Sequence, residues 1–147
     1  MARDRFPIIV HTFVLRADSV LLLRRARTGF ADGMYGLPGG HLHAGERIAS
    51  AAVRECREET GVEIELENLL PVCVMPYITE TGQGVDFIFR CERFVGEPHI
   101  GEPERCVDLR WCELSALPSN TVGFVRVAAA HLDADDWLVE HGWPDSV

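Results

Sequence analysis

The chain has 147 residues, of which 47% are hydrophobic, and a formal net charge of −9; this suits one domain, 1–147, around one core. The negative charge argues against a generic nucleic-acid binder, and no apolar run approaches the roughly 20 residues of a membrane span or resembles a signal peptide. A cytoplasmic protein that engages neither nucleic acid nor membrane is expected, with monomer and homodimer both open.

In chain order, the apolar runs Ile8–Leu15 and Val20–Leu23 predict two strands joined by a turn at Arg16-Ala17-Asp18-Ser19. Arg24 to Gly40 is rich in Arg and Gly and predicts a loop leading into a short strand. Arg47 to Thr60 predicts a helix. Its side chains Ala49, Ala52, Val53, Cys56 and Thr60 fall in one arc of about 100° at the helical period, and Gly61 is the expected stop. Further strands are predicted at Glu63–Leu66, Leu69–Ile78, Val85–Phe94 and Val107–Glu113, with Gly82-Gln83-Gly84 and Gly96–Glu104 as connections. A second helix is predicted from Val122 to Val139, burying Val122, Val125, Ala129, Leu132 and Leu138, with Asn120 or Thr121 as its N-cap. Strands mixed with two helices predict an α/β fold, a three-layer sandwich.

The chemistry concentrates on the first helix. Glu55, Glu58 and Glu59 stand at i, i+3 and i+4, next to the apolar arc. At about 4 Å and an effective dielectric of about 20, each pair would repel by roughly 4 kcal/mol, less where solvent reaches it. Such a cluster asks for a multivalent cation, and its hard oxygen ligands favour Mg²⁺ or Mn²⁺ over zinc; the plainer alternative is a solvated acidic face. Arg54, four residues before Glu58, can orient that carboxylate. Gly39 and Gly40 permit a close backbone approach at the helix entrance.

Residues 40–62 resemble the signature of the Nudix hydrolases. Gly40, Glu46, Arg54, Glu55, Glu58, Glu59 and Gly61 match its fixed positions, and Leu37-Pro38-Gly39-Gly40-His41 matches the segment that precedes it in many members. Cys56 stands where an aliphatic residue is usual, and His43 where many members carry a further Glu. The resemblance implies a Nudix α/β/α sandwich with a mixed β-sheet between helices. It implies a divalent ion, Mg²⁺ or Mn²⁺, held by Glu55, Glu58, Glu59 and the Gly39 carbonyl, with Glu46 in the outer shell. A later-loop acid often completes such sites; Glu102 is the first choice, before Glu104 and Glu97. Glu58 is the first choice of general base, with Glu59 and Glu102 next. The implied reaction is hydrolysis of a diphosphate bond in a nucleoside diphosphate derivative. A nucleoside triphosphate, as in the nucleotide-sanitising, mutator-type branch, precedes ADP-ribose or another nucleotide sugar. A non-catalytic ligand-sensing or interaction domain is the alternative of another class.

Beyond the motif, all fourteen basic residues are Arg, so any side-chain cation meeting phosphate is a guanidinium. Arg24, Arg25 and Arg27 form the densest positive cluster, readable as a phosphate or base contact or as a solvated turn. Phe30, Tyr35 and Phe87 could stack on a base, with core packing the better reading of Phe87. The five cysteines lack a CxxC pair and predict buried thiols. The six histidines show no metal-binding spacing.

Overall fold

Strand β1 (Ile8–Arg16) is the hub of the computed structural model, which describes residues 1–145; the last two residues of the expected 1–147 domain lie outside it. β1 turns through Ala17-Asp18 into β2 (Ser19–Arg25), pairing Leu15 with Val20 and Arg16 with Ser19, as the turn signal predicts. Its first half lies between β4 (Gly39–His41), antiparallel, and β6 (Gly82–Cys91), parallel from Ile8↔Val85 to Val14↔Cys91. β5 (Leu70–Thr79) forms a hairpin with β6; β3 (Tyr35–Gly36) and β7 (Cys106–Glu113) flank β2. The sheet is therefore mixed, in the order β3-β2-β1-β6-β5 with β4 on β1 and β7 on β2.

The period-2 alternation of β1 and β2 divides the core between two faces. Phe13, Leu15, Val20 and Leu22 pack with Val125 and Ala128 of α2 (Gly123–Ala129). Val10, Val14 and Leu21 pack on the other face with Ala51, Ala52 and Cys56 of α1 (Ile48–Thr60). A helix on each face gives the expected α/β/α sandwich. All five cysteines are buried free thiols, and burial pushes the Cys56 thiol up to about 12.

Helix α1 is rotated relative to the predicted arc. Ala51, Ala52, Glu55, Cys56 and Thr60 are buried, whereas Ala49 and Val53 lie half-buried at its margin. The small side chains of Ala51 and Ala52 let the helix approach the sheet closely, and Glu55 is carried into the packed face. α1 ends at Gly61, which has φ 72 and donates its N–H to the Arg57 carbonyl. A Cβ there would also lie 2.0 Å from the His99 ring, so conformation and space both require glycine.

Gly82-Gln83-Gly84, expected as a connection, instead opens β6, and the reversal falls at Glu80-Thr81. Two predicted elements differ further. Glu63–Leu66 forms only the bridge Glu63↔Val95 before a 3₁₀ turn at Leu66–Asn68, because no neighbouring strand runs beside it. The second helix stops at Ala129 rather than Val139, and its N-cap is Val122. Asn120 instead donates its side-chain amide to the Gly33 carbonyl, and the Thr121 hydroxyl donates to the Pro118 carbonyl. Asp133, Asp135 and Asp136 fall where the negative end of a helix repels acids. Residues 137–141 run beside the outer edge of β5, where its unpaired backbone groups accept them. Val74 N–H donates to Trp137 O, Val139 N–H to Val74 O, and Ile78 N–H to His141 O. Val139 is thereby buried, whereas Leu138, expected inside, is exposed.

Candidate active site

The acids of α1 meet two glycine-bearing segments, one on each side. The first is β4. Thr12 N–H bonds the Pro38 carbonyl and Leu42 N–H bonds the Ile8 carbonyl, so the alternation of an antiparallel ladder leaves the polar groups of Gly39 pointing away from β1. Its N–H accordingly donates to Glu59 Oε2 at 3.2 Å. At Gly40 a Cβ would lie 2.5 Å from Glu55 Oε1, so the strand passes over this carboxylate only as glycine.

The second is the segment 96–105, which docks on the last turn of α1. His99 N–H donates to the Thr60 carbonyl and Gly101 N–H to the Glu59 carbonyl, both at 2.9 Å, using acceptors that a helix end leaves unpaired. A Cβ on Gly101 would stand 2.1 Å from the Glu58 carbonyl oxygen. Glu102 follows this contact, near enough for its charge to act on Glu59. Glu97 lies elsewhere, pairing with Arg16 at 3.6 Å, and Glu104 is exposed.

Among the described residues, Arg54 is the one guanidinium bonded within the cluster. Its Nε and Nη2 grip Glu46 at 2.7 and 3.0 Å, and its Nη1 reaches Glu55 Oε1 at 2.8 Å and Glu58 Oε2 at 3.1 Å. The sequence expectation that it orients Glu58 thus describes one contact among several. The Arg54 hydrogen bonds, helped by the His43 N–H, hold the Glu46 carboxyl down at about 2, and Arg54 itself is shifted further toward its charged form.

Among the described residues, no arginine hydrogen-bonds Glu59 or Glu102. Burial pushes Glu59 well above the usual carboxylate range, and the charges of Glu55 and Glu102 push it further. Burial also raises Glu102; Arg105 pulls it back, while Glu55, Glu58 and Glu104 add to the rise. Exposure grades the three box acids: Glu55 is 8% exposed, Glu59 half-buried, and the Glu58 side chain 44% exposed.

Among the described residues, no three Asp, Glu, His or Cys side chains already stand as a closed ligand set; Arg54 and the Gly39 N–H occupy oxygens of these acids. The donor set nonetheless fits a hard divalent ion. It is all oxygen, neighbouring carboxylates raise Glu59 and Glu102, and glycine at 40 leaves room for the Glu55 carboxylate while glycine at 101 lets its segment close on the helix backbone.

The residues expected to meet substrate divide sharply. Tyr35 is a core residue, buried, with its hydroxyl donating to Asp108 and Arg110 over its ring at 4.9 Å, so it offers no free stacking face. The arginines mainly brace loops: Arg24 Nε donates to the Gly33 carbonyl, and Arg25 Nε to that of Phe30. Arg27 donates to the carbonyls of Pro103 and Glu104. Phe30 is 61% exposed, on a loop shaped by Asp32, whose carboxylate accepts from the N–H groups of Thr28 and Gly29. Phe87 packs half-buried against the α1-side core, as expected.

Sequence reasoning passed over Asp86, 5% exposed, which lies 3.7 Å from His11 on the α2 face, where the His11 ring also packs on Phe124. The β1–β6 register would have revealed the pair, but that register is a tertiary fact.

The NUDIX domain family model matches residues 5–132, and the chain belongs to that family, whose enzymes hydrolyse pyrophosphate bonds. The crystal structure of a MutT NUDIX hydrolase from Burkholderia pseudomallei superposes with a TM-score of 0.81 at 28% identity, over 88% of this chain and 99% of that one. An ADP-ribose pyrophosphatase of Methanocaldococcus jannaschii is 29% identical over 76% of this chain and 65% of its own length. An oxidized purine nucleoside triphosphate hydrolase of Danio rerio is 30% identical over 76% of this chain and 69% of its own. The chain spans 35 to 65% of the length of the first curated relatives it matches.

Proposed function

We propose that the chain hydrolyses a phosphoanhydride bond in a nucleoside diphosphate derivative, with a nucleoside triphosphate as the first-choice substrate and Mg²⁺ or Mn²⁺ as cofactor. The observation that carries the reading is the gathering of Glu55 and Glu58 on one guanidinium with Glu59 and Glu102 next to them, the latter two raised by burial and by neighbouring carboxylate charges. In this reading Glu55, Glu58, Glu59, Glu102 and the Gly39 carbonyl hold the ion. When bound, a divalent ion neutralises diphosphate charge and polarises the attacking water.

The chain's own residues do the rest. Glu58 has the exposure to meet a water at the opening, and its carboxylate takes the proton of that water as it attacks phosphorus. Arg54 aims Glu58 through the 3.1 Å bond. The Gly39 N–H fixes the rotamer of Glu59, and Phe30, exposed on its loop, offers an apolar face for a base. ADP-ribose is the second reading, favoured by the similarity to the archaeal pyrophosphatase.

The deciding experiment assays nucleoside triphosphates, oxidised purine nucleotides and ADP-ribose with Mg²⁺ and with Mn²⁺, identifying the products by mass. Release of pyrophosphate from a triphosphate supports the first reading, and cleavage of ADP-ribose alone the second. Hydrolysis indifferent to chelator would reject the metal mechanism, and no hydrolysis of any member would reject the enzyme reading.

A further inference from the structure

The segment bearing Glu102 reaches the acid cluster from outside α1, and its two ends are held by different means. The near end docks on helix carbonyls through His99 and Gly101. The far end is gripped by Arg27. Its Nε donates to the Glu104 carbonyl at 2.8 Å and its Nη2 to the Pro103 carbonyl at 2.7 Å. Beside this fork, Ala26 N–H donates to the Arg105 carbonyl, and Arg105 N–H closes the turn on the Glu102 carbonyl, each at 2.9 Å. The Arg27 backbone has φ 54, a left-handed conformation that non-glycine residues seldom adopt without surroundings that impose it.

The chemistry suits arginine specifically. A planar guanidinium presents two donors in a fixed fork that spans two successive carbonyls, whereas an ammonium is a point donor on a flexible stem. The two carbonyls it takes belong to the residues immediately after Glu102. Arg27 is itself exposed, so the side chain contributes orientation far more than core packing.

We propose that Arg27 is a positioning residue for Glu102, fixing the Pro103–Glu104 backbone so that the Glu102 carboxylate stays beside Glu55 and Glu59. This rests on the reading in which Glu102 belongs to the ion-holding cluster. It replaces the direct phosphate contact expected for Arg27 with an indirect role in the same site.

The test titrates Mn²⁺ calorimetrically into the nucleotide-free full chain, comparing wild type with R27A, R27K, R27G, E102Q and R27A/E102Q. R27A should weaken Mn²⁺ binding about tenfold, as for a lost outer-shell partner, and E102Q, which removes a proposed ligand, by at least as much. R27K should recover part of that loss, and the double variant should bind no more weakly than E102Q alone. Amide exchange at Gly101 and Arg105 should quicken in R27A and R27G but not in E102Q. Should R27A unfold, R27G carries the test, because glycine suits the positive φ. If E102Q weakens binding while R27A and R27G do not, or if the losses add in the double variant, the positioning role is overturned and the cluster reading stands. If E102Q binds Mn²⁺ like wild type, the cluster reading of Glu102 fails, and the positioning role falls with it.

Discussion

The two faces of the sheet are built to different ends. On the α2 side, Phe13, Leu15, Leu22, Met75 and Ile88 pack with Val125 and Ala128, and large apolar side chains do most of the filling. On the α1 side the helix contributes Ala51, Ala52 and Cys56, and its close approach draws Glu55 and Glu59 into poorly solvated positions. One face gains stability from burial, while the other gives some of it up to concentrate charge. The difference teaches that substitutions on the two faces should separate stability from activity.

The largest expected effect belongs to the charged face. E58Q should lower kcat by about 10²–10⁴, the usual contribution of a general base, while the melting temperature stays near wild type. Wild-type turnover in E58Q would remove Glu58 from the base role. On the apolar face, F13A should cost about 3–5 kcal/mol in denaturant unfolding, with Mn²⁺ affinity unchanged in whatever fraction remains folded. A loss of affinity matching the loss of stability would show that the faces are not separable.

Next in size is stabilisation by metal. Mn²⁺ at about 100 times its Kd should add about 2.7 kcal/mol to wild-type stability by mass action. The gain should shrink in E59Q, and the same gain in E59Q would place the ion away from this cluster.

The smallest effect is a pH dependence in which the acids of one cluster work in opposite directions. Glu59 and Glu102 are raised, so the folded state holds their protons more tightly than the unfolded chain does. Their contribution favours the fold below the ordinary glutamate value of 4.5 and is lost as pH rises through the raised value. Glu46 is lowered to about 2, so its contribution is present above 4.5 and lost as pH falls toward 2. In metal-free protein, E59Q should flatten the fall in melting temperature on the alkaline side, and E46Q should soften the acid limb. Identical profiles for wild type and both variants would contradict these assignments.

How much of this was legible in the sequence follows from the range of the forces involved. The α1 carboxylates, the Gly61 stop and the β1–β2 turn are set within a few residues by helical spacing and turn chemistry, so the sequence alone places them. The burial of Glu55 was not legible, since it depends on how α1 rotates against β1 and β4. Tyr35 stands in a Gly-rich run that reads as exposed loop, yet its pairing with β2 and its bond to Asp108 bury it. Arg27 reads as free charge because its acceptors lie 76 and 77 residues away. The overlong second helix fails for the same reason: Leu138 and Val139 are apolar enough to continue it, but a vacant strand edge competes for them.

That edge has a consequence of its own. An open outer strand is a template on which a second molecule can add, the first step toward fibrillar or swapped assemblies. Here residues 137–141 occupy the template in cis, and Gly142, at φ 96, lies where any Cβ would strike the Ile78 carbonyl at 2.1 Å. Shortening the chain before Trp137 would bare β5 without touching a single acid of α1. Such a protein should keep the proposed hydrolytic activity at high dilution and lose solubility as its concentration rises.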